Sequence, residues 1–167
     1  MPKRVTQCPI ARSLERVGDE WSVLILREAL YGLTRFDEFQ KSLGIAPNIL
    51  TKRLARLVET GMLERRQYSE HPPRYEYFLT EAGRDFRTVI LAMLAWGNRH
   101  FAQEGLATII VDRESGDVAD PILIDRKSGR PLIGSDFKVT AGPAANESMK
   151  KRFQSRPIAI SLTESPQ

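Results

Sequence analysis

An amphipathic helix that leads directly into a strand–turn–strand segment restricts the fold of this chain more than any other feature. Residues 48–83 read NILTKRLARLVETGMLERRQYSEHPPRYEYFLTEAG. At about 100° per residue, a helical wheel gathers one apolar stripe, formed by Leu50, Leu54, Leu57 and Val58. The opposite side is polar and holds Asn48, Lys52, Arg56 and Glu59, with Thr51 and Arg53 on its flanks. We therefore expect one face of this helix to lie on a core and the other to face solvent or a partner.

Proline and glycine residues predict where this helix and the following strands begin and end. Pro47 suits the first helical turn, where its missing N–H costs no hydrogen bond, and Gly61 suits the left-handed position after the last turn. The runs MLERRQYSE and RYEYFLT predict two strands around His71-Pro72-Pro73, because proline lacks the N–H that a sheet ladder needs. Alternation predicts two faces of the first strand: Leu63, Arg65 and Gln67 on one, and Glu64, Arg66 and Tyr68 on the other.

Periodicity predicts shorter helices before this segment. Ile10, Leu14 and Val17 recur at i, i+4 and i+7, which indicates a first helix with Pro9 in its first turn. The run WSVLILREAL predicts a second, largely buried helix. We expect its inward side chains to be Leu24, Ile25 and Ala29.

A third helix is expected over about Phe36–Leu43, ending near Gly44. Thr34 and Asp37 have the spacing of a capping box before it. A long helix is expected from near Thr80 to about Gln103. Its apolar residues recur at helical spacing and are Phe86, Val89, Ile90, Met93, Leu94, Gly97 and Phe101. Such a stripe is typical of a core or a dimer seam more than of a ligand site.

The chain changes character after residue 104. ATIIVDRESGD, PILIDRKSGRPLIG and FKVT are short β-branched runs separated by Gly, Ser, Asp and Pro, which predicts a small β-rich appendage with two or more hairpins. The weakly patterned sequence after Gly142 is expected to be a flexible tail. We therefore predict three parts, with residues 1–104 as the principal domain, 105–142 as the appendage and 143–167 as the tail.

Basic residues are concentrated around the amphipathic helix and the hairpin. Residues 41–74 contain 7 Lys and Arg against 3 Asp and Glu, whereas the whole 167-residue chain has a net charge of +4. This concentration favours a polyanionic partner, although a solvated basic face would look the same. No apolar run approaches the roughly 20 residues of a membrane span. The first residues, MPKRVTQCPIAR, also lack a secretory signal core, so we expect a cytoplasmic protein without a membrane partner.

The order of these elements predicts a winged helix-turn-helix fold. A major groove about 12 Å wide admits one helix, and the hairpin, which we call the wing, can contact the flanking backbone. The expected DNA-contacting residues of the helix are Asn48, Thr51, Lys52, Arg53 and Arg56. Those expected on the wing are Arg65, Arg66, His71 and Arg74. The alternative is a winged-helix module that binds proteins without specific DNA binding.

Three segments resemble the HxlR-type family of bacterial winged-helix regulators. They are CPIARSLERVGDEWSVLILREAL, RFDEFQKSLGIAPNILTKRLARLVETGMLER and PPRYEYFLTEAGR followed by WGNRH, in family order. The resemblance implies a homodimeric transcription factor, often a repressor, whose first and last helices form the dimer interface. Its two recognition helices would meet successive major grooves of a near-palindromic operator. Ala46 departs from the serine of many relatives, so Pro47 alone must set the helix start.

The resemblance and these patterns together predict an α+β fold class that is mainly α. It comprises a winged helix-turn-helix domain with a long C-terminal dimerisation helix and a small β-rich C-terminal appendage. Cys8 matches the family's N-terminal cysteine, which some members use to sense oxidants or electrophiles. A cysteine before Pro9 would lie at a helix N-terminus, where backbone amides favour the thiolate. The alternative, which we favour, is a small hydrophobe buried at the dimer seam.

Other chemistry has weaker support in the sequence. Cys8 is the only cysteine, and no ligand spacing joins it to His71 or His100, so we expect no metal and no cofactor. The acidic residues of the appendage are Asp112, Glu114, Asp117, Asp120 and Asp125. Aspartates in hairpin turns usually serve local hydrogen bonding, so we do not expect an enzyme. A small-molecule effector is a further candidate partner.

Overall fold

The chain divides into two compact units, Met1–Gln103 and Glu104–Gln167. The computed structural model describes residues 7–132, 136–154 and 158–159. The first unit contains α1 Pro9–Val17, α2 Glu20–Leu30, α3 Phe36–Leu43, α4 Pro47–Glu59, β1 Leu63–Glu70, β2 Pro73–Leu79, α5 Glu81–Asp85 and α6 Arg87–Phe101. The second contains β3 Lys138–Val139, α7 Glu147–Gln154 and β4 Ile158–Ala159. None of the helices described is long and apolar enough to cross a membrane.

The predicted leucine stripe of α4 lies at the centre of the core. Leu50, Leu54 and Leu57 are fully buried, and Val58 packs beside them. The rest of this core is formed by Val17, Ile25, Leu26, Phe39, Ile45, Met62 and Leu63. Gly61 follows α4 with φ +74°, as the helix-stop prediction requires. The predicted start and end of the helix are thus confirmed.

The buried face of α2 differs from the prediction. Ile25 is buried as expected, but Leu24 and Ala29 are only half-buried. The fully buried neighbour of Ile25 is Leu26, which the pattern did not select. Because α2 packs against α3, α4, β2 and α6, its apolar run has several buried sides and the wheel alone cannot rank them.

The bounds of α3 agree with the prediction, but its capping residues do not. The capping residue is Glu38, whose Oε2 accepts hydrogen bonds from Arg35 N (2.9 Å) and Thr34 N (3.0 Å). These two backbone donors lower the pKa of the Glu38 carboxyl. Thr34 does not cap with Asp37; its carbonyl accepts from Tyr77 N at 2.8 Å. Thr34 is therefore used to join this turn to β2.

The long C-terminal helix of the first unit is interrupted, in contrast to the single helix predicted. It consists of α5 and α6, with Phe86 between them, and Phe86 packs against the core. The hydroxyl of Thr80 accepts from Gly83 N at 3.1 Å and caps α5. A Cβ on Gly83 would lie 2.2 Å from the Met62 carbonyl oxygen. A glycine at this position therefore allows α5 to approach the backbone before β1.

The wing is the antiparallel hairpin of β1 and β2, as predicted. Leu63 is opposite Leu79 and Arg66 is opposite Glu76. The register shifts between Gln67 and Ser69, near the tip. Pro73 is the first residue of β2 and not a loop residue, a position at which proline is tolerated.

The second unit is organised by two turns of similar sequence, DRESG and DRKSG. Asp112 Oδ1 accepts from the N–H groups of Glu114 (2.8 Å) and Ser115 (2.9 Å). Asp125 Oδ2 accepts from the Ser128 N–H (3.0 Å) and hydroxyl (2.6 Å). These bonds lower the pKa of both carboxyls, and the first cause is the bonding to Ser115 and Ser128 respectively. They serve turn geometry, as the sequence predicts for these aspartates.

The predicted hairpins of this unit have little strand. One bridge closes each turn, Val111 with Val118 and Ile124 with Pro131. None of the described residues after Glu104 is buried, so these segments lack the packed face that stabilises longer strands. Part of the expected flexible tail forms α7 and β4. Residues 155–157 and 160–167 lie outside the described residues, and the flexibility of the tail stays a prediction.

Candidate nucleic-acid interface

The face of α4 opposite the leucine stripe is open to solvent. Asn48, Thr51 and Lys52 are exposed, and Arg53 and Arg56 are intermediate. The structure thus brings the five predicted residues onto the outer side and edges of one helix. Burial of the leucines fixes which side of this helix can meet a partner.

The start of α4 carries no side-chain cap. Ala46 is the N-cap residue and Pro47 occupies the first turn, which confirms that proline sets the helix start. Asn48 Oδ1 accepts from Ile49 N at 2.9 Å, and the Thr51 hydroxyl donates to the Pro47 carbonyl at 2.8 Å. The Asn48 amide group remains a donor at the exposed end of the helix, where backbone N–H groups also favour anions.

The three cationic residues of α4 differ in how they are held. Lys52 has no ion pair within the described part of the chain. Arg53 Nε lies 3.1 Å from Asp19 Oδ1. Arg56 donates to Glu59 at 2.7 Å and to the Glu15 carbonyl at 3.0 Å. Arg56 therefore points along α4 and toward α1, whereas Lys52 has no such contact and is open to an external partner.

The arginines in the middle of the wing are stacked on aromatic rings. Arg65 Cζ lies 4.3 Å from the centre of the Tyr75 ring, and Arg66 Cζ lies 4.6 Å from that of Phe78. Arg66 is also paired with Glu64. The tyrosine and phenylalanine side chains hold the two guanidinium groups close to the hairpin, since such cation–π contacts stabilise by about 0.5–1 kcal/mol at exposed sites.

The tip of the wing presents a histidine and an arginine. His71 and Arg74 are both exposed, and neither has an ion pair among the residues described. Ser69 forms part of the tip, and its hydroxyl donates to the Pro72 carbonyl at 3.0 Å. Like Lys52 on α4, His71 and Arg74 are predicted site residues that remain open to an anionic ligand.

Sequence reasoning missed the contact that joins the wing to the helices. Arg35 Nε lies 3.0 Å from Glu76 Oε1, and Arg35 Cζ lies 4.9 Å from the centre of the Tyr68 ring. The backbone bond from Tyr77 N to Thr34 O adds a second link. The partners are about forty residues apart in sequence, so no local pattern could reveal them.

Two helices of the first unit expose large apolar side chains. On α1, Ile10 and Leu14 are 72% and 59% exposed. On α6, the exposed side chains are Val89, Met93, Trp96 and Phe101, whereas Ile90 is buried. The Trp96 and Phe101 rings pack edge to face, with 4.9 Å between their centres. The predicted α6 stripe therefore divides into a side that packs inside the chain and a side that remains uncovered.

Cys8 lies where the sequence predicts it, at the N-terminus of α1. It is the N-cap residue, and its side chain makes no capping hydrogen bond. Its carbonyl accepts from Arg12 N at 3.0 Å, and the residue is half-buried. This position is compatible with either of the roles considered for the thiol.

Comparisons with known proteins give a consistent result. Residues 16–105 match the model of a family described as HxlR-like helix-turn-helix. An uncharacterized HTH-type transcriptional regulator of Mycobacterium tuberculosis is 39% identical over 135 residues, which cover 80% of this chain and 85% of the relative. Since 135 exceeds the length of the first unit, the similarity extends into the second.

Solved structures agree with the family match. PA1374 of Pseudomonas aeruginosa, a candidate transcription factor, is 54% identical, with a TM-score of 0.65 and coverage of 87% of this chain and 99% of that one. The redox regulator HypR in its oxidized form is 33% identical, with a TM-score of 0.50 and coverage of 55% of this chain and 96% of HypR. The predicted winged helix-turn-helix fold is thus confirmed.

Proposed function

The chain belongs to the HxlR-like helix-turn-helix family of transcription regulators, and from this premise we propose that it binds a near-palindromic operator as a homodimer and represses transcription there. The observation that carries the proposal is the arrangement of α4. Its leucines are buried, and its opposite face exposes Asn48, Thr51 and Lys52. A helix with this division can enter a major groove while the core holds it from behind.

In this proposal the helix and the wing have different tasks. Asn can bond adenine with two hydrogen bonds, and Lys or Arg can bond guanine, so α4 reads base edges. His71 and Arg74 at the exposed wing tip contact the flanking phosphates, which supply affinity and register. Arg65 and Arg66 lie beside them along the hairpin.

The homodimer part of the proposal is supported by the uncovered apolar side chains of α1 and α6. Soluble chains rarely leave large contiguous apolar patches exposed unless a partner covers them. A second copy would cover them by two-fold symmetry and place two α4 helices about one DNA turn apart, roughly 34–36 Å. The first unit would then carry both DNA binding and dimerisation, at the nucleoid in the cytoplasm.

Two alanine substitutions test the DNA surface. Genomic fragments bound by the protein are first selected to identify an operator. Lys52→Ala is then expected to reduce operator affinity by about 1–3 kcal/mol, selectively if Lys52 contacts a base. Arg74→Ala is expected to weaken binding to all sequences and to lower the salt slope by about one. Binding is measured by fluorescence anisotropy at several salt concentrations.

Lys138→Ala is the matched control, because Lys138 is an exposed lysine of β3 in the second unit. It should leave the operator affinity unchanged. If neither Lys52→Ala nor Arg74→Ala changes binding, the proposed DNA surface is wrong. The protein-interaction alternative predicts no sequence preference at moderate salt and a protein partner in a pull-down.

A sensory role for Cys8 is a second candidate function, favoured by its position as N-cap of α1 and by the similarity to the redox regulator HypR. The chain has one cysteine, so oxidation would require an intermolecular disulfide or a small-molecule adduct. A sensor predicts that alkylating Cys8 changes operator affinity, and that Cys8→Ser removes this response. A thiol that reacts no faster than free cysteine, together with unchanged affinity after alkylation, would leave only the packing role.

A further inference from the structure

Asp19 caps α2 with both of its carboxylate oxygens. It lies in the GDEW segment between α1 and α2, and Oδ1 accepts from Ser22 N at 3.0 Å. Oδ2 accepts from the Ser22 hydroxyl at 2.6 Å. The orientation of the carboxylate is therefore set by the start of α2, before any contact with another element is considered.

The same carboxylate meets the recognition helix. Arg53 Nε lies 3.1 Å from Asp19 Oδ1, and this Nε is shielded from solvent without a hydrogen-bond partner. The contact is therefore an ion pair whose N–H is not aimed at the oxygen. Both side chains are partly exposed, Arg53 to 38% and Asp19 to 28%. Because Nε is covered, the exposed part of Arg53 lies elsewhere in its side chain.

The two terminal nitrogens of Arg53 make no hydrogen bond in the described part of the chain, unlike those of Arg56. Arg53 lines an open cleft together with Asp19, Glu20, Trp21, Ile49 and Lys52. An ion pair at Nε limits the rotamers of a side chain that otherwise has about 2 kcal/mol of rotamer entropy to lose. The contact thus prepares one arginine of α4 for an external partner.

We infer that Asp19 is a positioning residue for operator recognition, which holds Arg53 so that its two terminal nitrogens form a paired contact with a guanine. The inference rests on the proposed function. Guanine O6 and N7 accept two parallel hydrogen bonds from a guanidinium group. If the two terminal nitrogens of Arg53 donate these bonds, its Nε can stay beside Asp19. Arg53 then contributes sequence preference, and Asp19 determines how strong that preference is, without touching DNA.

Asp19→Asn separates this role from capping. Asparagine is an equally good N-cap residue, but it lacks the charge that holds Arg53. The ratio of affinities for the selected operator and for unrelated DNA of equal length is expected to fall by about three- to tenfold, within the range of contact coupling energies. The thermal unfolding midpoint should stay close to that of the wild type, since the cap is kept.

Glu20→Gln is the matched control. Glu20 is adjacent in sequence and lines the same cleft, and its substitution changes the net charge by the same amount. General attraction of DNA to a less acidic surface should therefore be equal in the two variants. The affinity ratio is expected to fall in Asp19→Asn and to be unchanged in Glu20→Gln. Equal ratios in the two variants would overturn the inference.

A double-mutant cycle with Arg53→Lys completes the test. Lysine cannot form the two parallel hydrogen bonds, so Asp19→Asn should have no further effect on the ratio in this background. If Asp19→Asn lowers the ratio equally in both backgrounds, Asp19 does not act through Arg53 and the inference is wrong. A wild-type protein without preference for its selected fragments would overturn the proposed function, and this inference with it. A preference that persists unchanged in Asp19→Asn would overturn this inference alone.

Discussion

Trp96→Glu is expected to convert the proposed dimer into a monomer and to lower operator affinity by about 10²- to 10⁴-fold, the range by which linking two binding modules raises avidity. Trp96 is 57% exposed on the uncovered side of α6, next to Phe101. A carboxylate at this position would have to be desolvated in the interface. The affinity falls because each monomer would then bind its half-site independently.

Light scattering measures the mass of the complex, and anisotropy measures the affinity for the full operator and for one half-site. The half-site affinity should be unchanged, which distinguishes a lost dimer from a damaged α4. Tyr31→Glu is the control, since it places the same charge at another exposed aromatic residue, 61% exposed, outside α1 and α6. A Trp96→Glu protein that stays dimeric would show that this side of α6 is not the interface.

Leu54→Ala is expected to lower the free energy of unfolding of the first unit by about 2–5 kcal/mol, as for other leucines in well-packed cores. Leu54 has no exposed surface and lies in the middle of the α4 stripe. Truncation removes its contacts and leaves a cavity beneath the recognition helix. DNA binding should then fall with the folded fraction, although the substituted side chain lies on the buried side of α4, opposite the proposed DNA surface.

Urea denaturation followed by tryptophan fluorescence measures this change, because Trp21 packs against the same core. The control is Leu123→Ala, an exposed leucine of the second unit; it should change stability by less than about 0.5 kcal/mol. A Leu54→Ala protein as stable as the wild type would contradict the inward orientation of the stripe, and with it the orientation of the DNA-facing side.

Local patterns were sufficient to predict the elements that position the candidate site. The leucine spacing of α4, the proline at its start and the glycine after its end act within a few residues, so a wheel and simple backbone rules describe them. The wing followed from two β-rich runs around a proline pair. The bounds of α3 were predicted correctly, but its capping pair was not: Thr34 and Asp37 have suitable chemistry and spacing, yet the N-cap residue is Arg35 and the capping carboxylate is that of Glu38.

The predicted site residues could not be ranked without the fold. Lys52 and Arg56 are equivalent on a wheel, yet the Arg56 guanidinium is held by the Glu15 carbonyl of α1. Arg53 likewise meets Asp19, more than thirty residues earlier in the chain. Such partners come together only after the helices pack. The repeated DRxSG turns were, by contrast, visible in the sequence. The signal that could have identified them was the same spacing of Asp, Ser and Gly within each turn.

The link between Arg35 and Glu76, together with the bond from Tyr77 N to Thr34 O, has a consequence for the DNA that this protein can accept. Both contacts join the hairpin to the turn before α3 and so restrain its position relative to the helices. In the proposed complex, the protein therefore sets the separation between the bases that α4 would read and the phosphates that the tip would contact. A DNA sequence whose groove is wider or narrower between these two points would have to be deformed on binding. The protein would therefore bind it more weakly, even though no side chain contacts the base pairs at those positions.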